Sequence, residues 1–133
     1  MTDRGWMMSA KKILVIEDEA DLRANVARFL KAEGFEVLVA ENGAAGVEAA
    51  IGQMPDLIVC DITMPEMDGF GVLFSLRENV TTSNIPFIFL TASTRTYDRN
   101  WGVELGANDY ITKPFKLDQL LEAIRKRLPE QAQ

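Results

Sequence analysis

Short apolar runs alternate along the chain with segments whose apolar residues recur every three or four positions. The runs at 13–16 (ILVI), 35–40 (FEVLVA), 57–60 (LIVC) and 86–90 (PFIFL) have the length of strands and are bounded by turn residues; 110–111 marks a short fifth. Between the first two, Leu22, Val26, Phe29, Leu30 and Glu33 fall at helical spacing, with a start near Ala20 and a stop at Gly34. Residues 43–52 predict a small-residue helix rich in alanine. Residues 116–128 place Leu117, Leu120, Leu121, Ile124 and Leu128 in one stripe, with Arg125, Lys126 and Arg127 at the end where cations suit the helix dipole. The segment 94–106 predicts only a marginal helix. Thr94, Thr96, Asn100, Gly102 and Gly106 are poor helix formers, and Tyr97, Trp101 and Leu105 give a narrow stripe. That makes it a candidate moving part.

Strands that are apolar on both faces and alternate with helices imply a parallel sheet covered on both sides. The predicted fold class is therefore α/β, a doubly wound five-stranded parallel sheet with helices on both faces. At 133 residues the chain fits one domain. Its expected limits are 11–128, between an N-terminal tail at 1–10, which includes Trp6, and a tail or start of a linker at 129–133. In such sheets a functional site lies outside the carboxyl ends of the strands.

Composition narrows the chemistry. Hydrophobic residues make up 47% of the chain and charged residues 26%, and the net charge of −6 argues against direct nucleic-acid contact, which needs a basic patch. Cys60 is the single cysteine, which excludes an internal disulfide and suits a reducing cytoplasm. No apolar stretch reaches the ~18 residues of a membrane span, and MTDRGWMMSA lacks the apolar core of a signal peptide. The chain contains no histidine, so histidine triads and an internal phosphohistidine are impossible. Chemistry must run on carboxylates, hydroxyls and lysines.

Those groups stand at the strand ends. The first strand runs into Glu17 and Asp18, the third into Asp61, the fourth into Thr91, and the fifth is followed by Lys113 and Pro114. Converging carboxylates raise one another's pKa unless a cation is present, and Mg2+, a hard ion bound by carboxylate and phosphate oxygens, fits the set. Lys113 suits phosphate oxygens, Thr91 can donate to the same group, and a carboxylate is a competent nucleophile toward phosphorus. Each residue also has a plain structural role open to it. Asp18 reads as a cap for the helix near Ala20, Asp61 as a strand exit, Thr91 as a strand-end hydroxyl, Tyr110 as a core aromatic, Lys113 as a solvated lysine and Cys60 as a small core hydrophobe. Met64, Met67, Asp68 and Gly69 read as loop-shaping residues, Gly69 through a backbone conformation other residues avoid.

Five segments in order, IEDE at 16–19, DITMPEMDG at 61–69, TA at 91–92, GANDY at 106–110 and TKPF at 112–115, resemble the receiver domain of two-component response regulators, over roughly residues 11–128. The resemblance implies a flavodoxin-like (βα)5 fold of strand order 2-1-3-4-5. It implies Asp61 as phosphoacceptor, Asp18 as a direct Mg2+ ligand with Glu17 acting through water, and Thr63 ligating by its backbone carbonyl. It implies Lys113 as the phosphoryl contact, Thr91 and Tyr110 as the pair that switches, and a cis peptide at Pro114. The implied partners are a sensor histidine kinase or phosphotransfer protein, and an output domain or downstream protein meeting the face around 94–128, with no nucleic acid or membrane contacted directly.

Three rivals bear on that expectation. A flavodoxin needs an uncharged phosphate loop after the first strand, where EDEAD stands. A Mg2+-dependent aspartyl phosphatase needs a second acid two residues after the nucleophile, where Thr63 stands. A degenerate, binding-only receiver conflicts with the complete set of acids, hydroxyl and lysine. Two departures from the family pattern are visible: Asn108 replaces an acid in GANDY, and Gln119 and Ala123 replace the glutamate and arginine that winged-helix regulators place for a dimer through the fourth helix, fifth strand and fifth helix. A stand-alone receiver and one cut from a larger regulator both fit the sequence.

Overall fold

The computed structural model describes residues 10–128; residues 1–9, with Trp6, and 129–133 lie outside the described residues, so the expected tails are not described. Along the chain run β1 (Lys12–Ile16), α1 (Ala20–Ala32), β2 (Glu36–Ala40), α2 (Gly43–Gln53), β3 (Leu57–Cys60), α3 (Gly69–Glu78), β4 (Phe87–Thr91), α4 (Thr96–Leu105), β5 (Asp109–Thr112) and α5 (Leu117–Arg127). All strand pairs are parallel, in the order β2-β1-β3-β4-β5. This is the doubly wound α/β fold read from the alternation of runs.

Alternate residues of the central strands feed two cores. Ile13, Val15, Val59, Ile88 and Leu90 pack with Val26 and Leu30 of α1 and Leu120 and Ile124 of α5. Leu14, Ile16, Ile58, Cys60, Phe87 and Phe89 face the other way, toward Ala50 of α2 and Val72, Leu73 and Leu76 of α3. With a period of two and helices on both sides, a central strand has no polar face, which is why LIVC is buried throughout.

The helices show where the pattern was readable. In α1 the turns at Leu22, Val26, Phe29 and Leu30 are helical as spaced, and Gly34 follows the end at φ +100°. The expected Asp18 cap is absent: the N-cap residue is Glu19, and no side chain closes that end. Asn42 caps α2, accepting from the Ala45 N–H at 2.7 Å. The helix α3 was not separable from its loop by pattern, because GFGVLFSLRE has no polar stripe; Asp68 starts it by accepting from the Gly71 N–H at 2.9 Å. The marginal segment does form α4, yet only Asp98 and Gly102 of it are buried.

Asn108 shows what replaces the missing acid. Its side-chain oxygen accepts from the Phe87 N–H at 2.8 Å while its own N–H donates to the Phe87 carbonyl at 2.8 Å, so an amide pins the start of β5 to β4 without a charge. Gln119 is exposed and Ala123 is buried against the core, neither offering an ion pair.

Candidate functional site: a carboxylate and lysine cluster at the strand ends

The sheet ladder continues one residue past the strands, and this places the site. The Glu17 N–H donates to the Ala40 carbonyl at 3.0 Å, the Asp61 N–H to Ile16 at 3.1 Å and the Lys113 N–H to Thr91 at 2.8 Å. Glu17, Asp61 and Lys113 are thus held by backbone bonds at the mouth of the sheet before any side-chain interaction is counted.

Their side chains then meet. Lys113 Nζ lies 3.1 Å from Glu17 Oε1 and 3.2 Å from Asp61 Oδ2. Glu17 is 3% exposed; its second oxygen accepts from the Glu19 N–H at 3.2 Å, and Arg23 donates to its carbonyl at 2.7 Å. Asp61 is also buried, and its Oδ1 accepts from the Thr63 N–H at 3.3 Å. Asp18 is exposed at the rim, close enough that one oxygen from each of Glu17, Asp18 and Asp61 falls within 4.8 Å of the others. The Lys113–Pro114 peptide is cis.

Burial raises the Glu17 carboxyl above its ordinary range, and the charge of Asp61 adds to this against the Glu19 amide and Lys113. For Lys113 burial works downward, but the Asp61 and Glu17 carboxylates outweigh it and hold the ammonium above its usual value. Three carboxylates against one ammonium leave a formal charge of −2 in the cluster. An oxygen-only donor set with that residual charge suits a hard divalent cation, and the residues are compatible with Mg2+. Burial pushes the Cys60 thiol well up, so it sits in the core as a protonated small hydrophobe.

Gly69 matters for a reason other than the one expected. It has no left-handed backbone; in this loop the positive φ, +69°, belongs to Glu66. Instead a Cβ on Gly69 would strike the Asp61 carbonyl oxygen and lie 2.8 Å from Ile62 Cα. The start of α3 therefore rests directly on the backbone that carries Asp61.

Thr91 is fully buried at the end of β4, and Tyr110 is 7% exposed. The Tyr110 hydroxyl donates to the Ser93 carbonyl at 3.2 Å, and the Arg99 guanidinium lies 4.6 Å from its ring centre. Tyr110, one of the pair expected to switch, is turned inward here. Asp98 and Arg99 at this pair, and Arg23 at Glu17, are residues that the sequence motifs do not single out. Asp98 carries a weak signal in the sequence, an acid in the first turn of a helix with only a narrow apolar stripe.

The response regulator receiver domain family matches residues 13–125. Response regulator ArlR of Staphylococcus saprophyticus is 38% identical over 122 residues, covering 92% of this chain and 54% of that protein. Transcriptional regulatory protein DltR of Streptococcus agalactiae is 41% identical over 116 residues, 87% of this chain and 51% of that one. The chain thus spans about half the length of these curated relatives. Among solved structures, chemotaxis protein CheY4 of Vibrio cholerae superimposes with a TM-score of 0.85 at 28% identity, covering 89% of this chain and 98% of that one. The receiver domain of sensor histidine kinase PA1611 of Pseudomonas aeruginosa, solved with a magnesium ion in its active site cleft, gives 0.84 at 28% identity, over 91% and 99% of the two chains. As the family match runs from the first strand into the last helix, the chain belongs to the response regulator receiver domain family.

Proposed function

We propose that this receiver is a working phosphoacceptor, taking a phosphoryl group onto Asp61 from a histidine kinase or phosphotransfer protein in the cytoplasm. The observation that carries this is the bridging of Glu17 and Asp61 by Lys113 at 3.1 and 3.2 Å, which sets a cation on the candidate nucleophile. An Asp61 carboxylate oxygen attacks phosphorus, and the bond from phosphorus to the donor's imidazole nitrogen breaks with its electron pair staying on that nitrogen. Lys113 meets the incoming phosphoryl oxygens as a point charge, and the Thr91 hydroxyl donates to one of them. Asp18, Asp61 and the Thr63 carbonyl, with Glu17 through water, would hold Mg2+, which when bound supplies charge neutralisation at the phosphoryl oxygens.

The chain catalyses only its own phosphorylation and hydrolysis in this reading. Thr91 and Tyr110 bias two pre-existing states, and the face around 94–128 meets an output domain or a downstream partner. Intact mass after incubation with acetyl phosphate tests it. A single phosphoryl addition that needs Mg2+ and is lost in Asp61→Asn is expected. A folded wild type that takes no phosphoryl group, from acetyl phosphate or from a phosphorylated histidine donor, would mean a receiver that only binds.

A further inference from the structure

One buried charge has no part in that chemistry. Asp98 lies in the first turn of α4 and is 6% exposed, although α4 buries nothing else but Gly102. A carboxylate taken from water needs partners, and those of Asp98 come from the loop between β4 and α4. Ser93 Oγ donates to its Oδ2 at 2.6 Å; Arg95 Nε donates to the same oxygen at 3.2 Å and Nη2 to Oδ1 at 3.4 Å. The Ser93 hydroxyl, aided by Arg95, outweighs burial and holds the Asp98 carboxyl below its usual range, so it stays charged at neutral pH.

Ser93 is also the junction of the Thr91 and Tyr110 pair. Its N–H donates to Thr91 Oγ1 at 3.4 Å and its carbonyl accepts from the Tyr110 hydroxyl at 3.2 Å. The residue after Asp98, Arg99, covers the Tyr110 ring. One turn of α4 thus grips the loop with one side chain and roofs the tyrosine with the next.

We propose that Asp98 is a positioning residue: by holding the Ser93 hydroxyl it fixes the Ser93 amide and carbonyl, and through them the inward pose of Tyr110 and the orientation of the Thr91 hydroxyl. The proposal rests on the reading of Thr91 and Tyr110 as the pair that responds to Asp61. Asp98 acts on their pose and leaves the nucleophile and its cations untouched.

The chain has two tyrosines, Tyr97 at 74% exposure and Tyr110 at 7%, which makes the pose readable without phosphorylation. In protein labelled with 3-fluorotyrosine, with Tyr97→Phe to assign the fluorine signals, the Tyr110 signal of the wild type is expected to show little shift between H2O and D2O. Asp98→Ala and Ser93→Ala are each expected to give Tyr110 a solvent shift like that of Tyr97, and the double variant no more than either. Asp98→Asn keeps an acceptor for the Ser93 hydroxyl and is expected to restore protection. Urea unfolding, run in parallel, separates a loss of stability from a change of pose. A folded Asp98→Ala with Tyr110 still protected, or single effects that add in the double variant, overturns the proposal. If Asp98→Ala does not fold, Ser93→Ala decides alone, and an unmoved signal overturns it. Phosphoryl addition is scored separately by mass, so a wild type that takes none while Tyr110 responds condemns the phosphoacceptor reading and not the positioning.

Discussion

Glu17 is the residue on which the electrostatics of this site turn. A glutamate raised above its ordinary range binds its proton more tightly in the folded chain than in the unfolded one. Its favourable share of stability is therefore complete below the ordinary glutamate value and is lost as pH rises through the raised one. At neutral pH without metal, ionised Glu17 costs stability despite its contact with Lys113. Glu17→Gln is expected to stabilise the chelator-treated protein by about 1 kcal/mol, roughly 4 °C in melting temperature, and to flatten the decline with pH between those values. Thermal melts in EDTA across pH 4 to 8 check this; a lower melting temperature at neutral pH would mean that Lys113 already balances the cluster. At this scale the sequence was readable where chemistry and position coincide: Glu17, Asp61 and Lys113 interrupt or end apolar runs. Asp98 was hidden because its meaning comes from a hydroxyl five residues upstream, a contact that exists only once the loop has folded back onto the helix.

Among the elements, α3 has a tie to the site that its sequence does not advertise. Gly69 opens it against the peptide between Asp61 and Ile62, where a methyl group finds no room. Gly69→Ala has to push the helix start or the Asp61 carbonyl aside, and overpacking of that kind costs typically 1–3 kcal/mol. The variant is expected to unfold at lower urea with a loss of about 2 kcal/mol and to accept a phosphoryl group from acetyl phosphate more slowly. Unfolding curves and the time course of the mass shift measure the two effects; a loss of stability with an unchanged rate would mean that the helix yields and the Asp61 backbone does not. The pattern of apolar positions showed α1 and α5 because each lays one stripe on the sheet. It missed α3 because a helix apolar nearly all round carries no period. It found α4 weak for a sound physical reason, since a helix whose buried positions are an aspartate and a glycine is anchored by hydrogen bonds more than by apolar area.

For the whole molecule, the topology follows from alternation and parallel pairing, while the grouping of acids follows from the topology. Glu17 and Asp18 follow β1 and Asp61 follows β3, two strands far apart in the chain and adjacent in the sheet, so the unfolded chain scatters what the folded chain collects. A divalent cation should then bind the folded state almost alone, and it stabilises that state by RT ln(1 + [Mg2+]/Kd), about 2.7 kcal/mol at a hundredfold excess over Kd. The wild type is expected to melt roughly 10 °C higher in saturating Mg2+ than in EDTA. Sodium chloride at equal ionic strength should give much less, because screening relieves repulsion without filling the site. Asp18→Asn separates the two contributions: its carboxylate stands exposed at the rim and makes no cap for α1, so losing it leaves the fold intact and removes a ligand. That variant is expected to keep its melting temperature in EDTA and lose most of the rise with Mg2+. A full rise in Asp18→Asn would place the ion elsewhere, and no rise in the wild type would leave Lys113 as the cation that the cluster was built around.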